Sequence, residues 1–187
     1  MEKTISNAII RKFNPCYYPS EVITDETEEL TVKEWVEKYR SIVPYKDIIW
    51  LLSRREFMSE KDLRLFAVWC TREALKLIEN PDERIVEACN VAERYANGEA
   101  TKEELLAAHH AANDAADAAR AAFYAASTPA FYAASTAASE AAYAASEAAC
   151  AATETASESA RAADYAYEVT YDDTRVSQLE QLLTYFE

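Results

Sequence analysis

A single glycine, Gly98, occurs in 187 residues, against 37 alanines. Sheets and tight hairpins lean on glycine where the chain must turn, and alanine is the strongest helix former, so the chain is expected to be all-α with no sheet. Thirty of the alanines lie between Lys102 and Glu168. Alanine buries little area, so that stretch gains stability from close approach of helix backbones rather than from large side chains. The expected architecture is a compact N-terminal helical core over residues 1–100, followed by long antiparallel alanine-rich helices over residues 101–187. These pack on the core or form one continuous domain with it.

Local signals place the helices. Residues 1–30 read as irregular, because Asn14-Pro15 and Tyr18-Pro19 break helices and Asp25, Glu26, Glu28 and Glu29 form an acidic run. Thr31 with Glu34 makes a capping box for a helix carrying Val32, Trp35, Val36 and Tyr39 on one face. Pro44 suits the first position of the next helix, ahead of Ile48, Ile49, Leu51 and Leu52. Ser59 is an N-cap followed by Glu60 and Asp62, and its helix carries the stripe Leu63, Phe66, Ala67, Cys70, Ala74, Leu77 and Ile78. Asn80-Pro81 ends that helix and caps another, which presents Ile85, Ala88, Cys89 and Ala92 and stops at Asn97-Gly98.

Thr101 and Glu104 form a second capping box, and the helix they open runs toward Ser127, a span of ~40 Å at 1.5 Å per residue. Thr128-Pro129 is then either a kink or a turn. FYAAST at Phe123 recurs at Phe131, after which the period becomes seven: AASEAAY, AASEAAC, AATETAS from Ala137. Heptad spacing keeps one seam on a neighbouring helix. Ser139, Tyr143, Ser146, Cys150 and Thr153 share one stripe, with Glu140, Glu147 and Glu154 on the next line. A last helix over 174–186 carries Val176, Leu179, Leu182, Leu183 and Phe186, a face that must dock.

The net charge is −14, and from Lys102 onward 14 acids face only 4 bases. That surface repels phosphate, which argues against direct binding of nucleic acid or an anionic membrane and suits a basic protein partner. Acidity also serves solubility. Cys16, Cys70, Cys89 and Cys150 are scattered without a close pair, and the N-terminus lacks a signal-peptide core, so a cytoplasmic protein is expected. The uncharged stretch Ala121 to Ser139 is long enough to span a bilayer, but it is mostly Ala, Ser and Thr with Pro129 inside, which disfavours insertion.

No residue stands out as catalytic, cofactor-binding or metal-ligating, so a non-enzyme is expected. His109 and His110 are adjacent, and neighbours on a helix point about 100° apart, which does not chelate one ion. One glycine leaves no room for the glycine-rich nucleotide loops or the GxSxG elbow. The residues that remain are Tyr124, Tyr132 and Tyr143 with Glu140, Glu147 and Glu154, an acidic-aromatic surface on an alanine scaffold that suits partner binding. The same tyrosines also suit gap-filling between closely packed helices.

Four strings occur in succession: RLFAVWC at Arg64, REAL at Arg72, VAERYANG at Val91 and ATKEEL at Ala100, running into alanine repeats. Over residues 60–125 the chain resembles the alanine-rich immunity-protein-like family of bacteria and phages. The resemblance implies a non-catalytic protein that binds and neutralises a protein effector, without a cofactor. A phage-encoded inhibitor of a host defence protein is the same chemistry in another setting. The residues leave two other classes open: a small-molecule or nucleotide sponge with a pocket between helices, whose phosphate site would draw on N-terminal bases, and a structural protein that self-associates along the alanine seam.

Overall fold

The computed structural model describes residues 3–15, 22, 25, 27–76, 78, 80–125 and 172–186. Among these the chain is all-α in class, with seven α-helices and a single two-stranded ribbon. The ribbon corrects the expectation of no sheet: β1 (Thr4–Ile5) pairs antiparallel with β2 (Leu30–Thr31), Thr4 opposite Thr31 and Ile5 opposite Leu30. No tight hairpin joins the two strands, so the pairing needs no glycine. The N-terminal stretch is also less irregular than it reads. Ser6 accepts from the Ile9 N–H and caps α1 (Asn7–Lys12), which buries Ile10 and ends near Asn14, held at φ 51°. Asparagine tolerates that left-handed conformation better than most residues.

The capping boxes form as read. Thr31 and Glu34 exchange bonds at the start of α2 (Val32–Tyr39), so one threonine closes the ribbon and opens a helix. Ser59 accepts from the Asp62 N–H to open α4 (Glu60–Leu75). Two boundaries move. Pro44 is the N-cap of α3 (Tyr45–Leu52) rather than its first residue. Asp82, not Asn80, caps α5 (Glu83–Ala96), because its carboxylate accepts the Arg84 N–H. Helix α4 stops at Leu75, so Ile78 packs on the core from the connection rather than from the helix.

Helix α5 ends as Asn97-Gly98 predicts. Gly98 takes φ +78°, its N–H reaches Tyr95 O, and the Glu99 N–H reaches Arg94 O at 2.8 Å, the paired bonds of a Schellman cap. The tight turn returns the chain into α6 (Lys102–Ala125), whose start is held by the Thr101–Glu104 exchange. Helices α4, α5 and α6 therefore pack in sequence order. Helix α7 (Asp172–Leu183), with a 3-10 turn at Thr184–Phe186, returns to the N-terminal core, lying on α3 and touching α4. Leu179 and Leu182 bury there, while Val176, Leu183 and Phe186 are half-buried. The core centres on Trp35, Phe66, Ile48, Leu52, Leu63 and Ile85. Each such large side chain contributes about 1.5–3 kcal/mol on burial.

Candidate functional site

The alanine-rich half enters the described structure as α6, and its two faces differ. Leu105, Ala108, Ala112 and Ala115 are buried in a row on α6, and α5 buries Ala88 and Ala92. The packed side is thus made almost wholly of small side chains, which lets the backbones approach. On the other side Glu103, Leu106, His110, Asp114 and Asp117 are exposed, Leu106 by 48%. A large aliphatic side chain on an acidic outer face is the less ordinary feature of this helix.

The electrostatics leave that face negative. Arg72 bonds Glu93 and Asn90, Arg94 lies 3.8 Å from Glu87 and 3.7 Å from Glu104, and Arg84 forks onto Asp82. Arg84 is held above its ordinary pKa first by its bond to Asp82, with Asp114 adding attraction. Glu104 is held below the usual carboxylate range first by the Thr101 N–H and then by the Thr101 hydroxyl, so it stays charged. The hairpin's arginines therefore meet acids of their own layer. Arg64 is buried and stacks over Tyr95 at 5.2 Å, tying α4 to α5. The exposed ion pairs of Arg72, Arg84 and Arg94, by contrast, add little stability but fix where charge lies.

Of the tyrosines and acids singled out in the sequence, Tyr124 falls in the last turn of α6. Tyr132, Glu140, Tyr143, Glu147 and Glu154 lie outside the described residues, as does the heptad stretch from Ala137. His109 is half-buried, its Nε2 2.9 Å from Asn113 Nδ2, and its ring centroid is 5.6 Å from that of His110. Among the described residues no three His, Cys, Asp or Glu side chains gather as metal ligands, and no helix is long and apolar enough to cross a membrane.

Sequence reading missed Leu106, although one signal was present: it is a leucine directly after Leu105 and cannot share that residue's buried stripe. It also missed two adjoining clefts in the N-terminal part, of about 520 and 310 Å³, which share Lys3 and Phe57. The larger is walled mainly by segments that read as irregular, and the smaller by the helix starts at Val32 and Ser59 together with Tyr185 and Phe186 from the far end of the chain.

Cys70 and Cys89 are buried, and burial pushes the Cys89 thiol up to about 12 despite the nearby Arg72. A thiolate is the reactive form, so both should resist a water-soluble alkylating reagent at pH 8 in the folded chain and react on denaturation. Peptide mapping reads each site; rapid native labelling of either would mean that the α4–α5 layer opens.

Compared with known proteins, the chain matches no family model, no curated protein and no solved structure.

Proposed function

We propose that this chain is a non-catalytic helical protein that binds and neutralises a bacterial effector or defence protein, as an immunity protein or a phage-encoded inhibitor does. The observation that carries the reading is the exposed Leu106 on the acidic outer face of α6, with Glu103, His110, Asp114 and Asp117 on the same side. The face sits on a helix fixed to α5 by a small-residue seam and a Schellman turn, so little order has to be gained on binding. The excess of 14 acids over 4 bases from Lys102 onward favours a basic partner, one that itself handles nucleic acid being a natural case. Acids steer the encounter, and a desolvated leucine or tyrosine slows release.

The test is binding kinetics at two salt concentrations with the partner captured from the native host. Glu140, Glu147 and Glu154 changed together to Gln should slow association and flatten its salt dependence. Leu106→Ser, and separately Tyr132→Ala with Tyr143→Ala, should speed dissociation by about tenfold with little change in association. If every variant binds as the parent does, this surface is not the contact and the proposal fails.

A further inference from the structure

We propose, resting on the effector reading, that the outer face of α6 takes one kind of element from its partner: a basic amphipathic helix laid along it.

Glu103, Leu106, His110, Asp114 and Asp117 follow one another at intervals of three or four residues, and all five are exposed. They therefore form a single row along one side of the helix. From Glu103 to Asp117 the row is ~21 Å long at 1.5 Å per residue, about four turns. On one flank stand Ala107, Ala111 and Ala118, too small to keep a second backbone away. On the other flank His109 Nε2 and Asn113 Nδ2 lie 2.9 Å apart, which ties down that border. A second helix with side chains at the same spacing can lie along such a row, as helices do in bundles.

Two observations choose the occupant. The row offers side chains only, because past the first turn the backbone groups of α6 bond within the helix. An extended peptide would find no strand edge here and would leave its own N–H and C=O groups to water, whereas a helix arrives with those bonds made. The charge is also one-sided. Between Glu99 and Ala118 five acids stand against one base, Lys102, at the first position of α6. Arg84 of α5 attracts Asp114 but is itself forked onto Asp82. Glu103 and Asp114 make no ion pair among the described residues. Leu106, 48% exposed, sets the register, since only an apolar side chain over it removes its surface from water. The complementary helix thus places an apolar residue on Leu106. Its bases lie about one turn away toward Glu103 and about two to three turns away toward Asp114 and Asp117.

Fluorescence anisotropy of a labelled synthetic peptide, titrated with the full chain, tests this. The probe is a peptide of about 18 residues built from leucine, lysine and alanine, with the leucines on one helical face. It should bind and gain helical dichroism on binding. A version with a central proline, and one with glutamate in place of lysine, should each bind at least about tenfold more weakly. Leu106→Ser should weaken the intact peptide by about tenfold. Glu103→Gln with Asp114→Asn should weaken it by a similar factor and flatten the salt dependence. These side chains are exposed, and thermal melting checks that each variant is folded. No binding at about 0.1 mM overturns the proposal. So does a proline version that binds as well as the intact peptide, or Leu106→Ser binding like the parent, even where the partner captured from the native host depends on Leu106. A captured partner indifferent to Leu106→Ser and to the acid and tyrosine variants instead overturns the effector reading, whatever the peptides do.

Discussion

Leu182→Ala should lower the stability of the whole fold by about 2–5 kcal/mol, not merely loosen its C-terminal helix. Leu182 is 0% exposed, and α7 lies on α3, whose Ile48, Ile49, Leu51 and Leu52 are themselves almost completely buried. Removing three heavy atoms there leaves a cavity between α7 and the helices it docks on, which they can close only in part. Total stabilities of about 5–15 kcal/mol make that a large fraction. The three tryptophans, Trp35, Trp50 and Trp69, lie outside α7, so their fluorescence reports on the core directly and on α7 only through its docking on α3 and α4. Denaturation followed by fluorescence and by circular dichroism should therefore shift to the same lower midpoint. A shift in dichroism alone would show that α7 and the core unfold as separate units.

Overpacking supplies the second large effect. Ala112 is 0% exposed on the α5-facing side of α6, in a seam where Ala88 and Ala92 are also fully buried. Ala112→Leu should cost about 1–3 kcal/mol, because the added branch forces two closely packed backbones apart. Ala107 lies on the exposed side of the same helix, and there the same change should stay within about 0.5 kcal/mol. Thermal melting of the two variants separates packing from helix propensity, since propensity is equal at both sites. Equal effects at Ala107 and Ala112 would mean that α6 is not held against α5 by its small residues.

Charge and capping were legible because their causes are short-ranged. Thr31 finds Glu34, and Thr101 finds Glu104, within one helical turn, and Gly98 ends α5 by a conformation that its missing Cβ permits. Where two neighbouring residues offered the same signal, the choice needed coordinates: Asp82 took the cap in place of Asn80, two residues away. Leu106 was readable in part, as the leucine that the buried stripe leaves over. The clefts were not, because Lys3, Lys12 and Lys33, which line them, stand on three segments whose sequences say nothing of one another.

Helical class, the positions of most helix ends, the small-residue seam and the acidic imbalance all follow from residue types and their spacing along the chain. The pairing of Thr4–Ile5 with Leu30–Thr31 does not, nor does the docking of α7 on α3. Capping bonds and hydrophobic stripes act over three to four residues, so their order in the sequence contains the information needed to predict them. A two-residue strand pair and a helix returning from the far end of the chain cost loop-closure entropy and are repaid only by burial of surfaces that the folded core brings together. Those contacts exist only once the tertiary structure does.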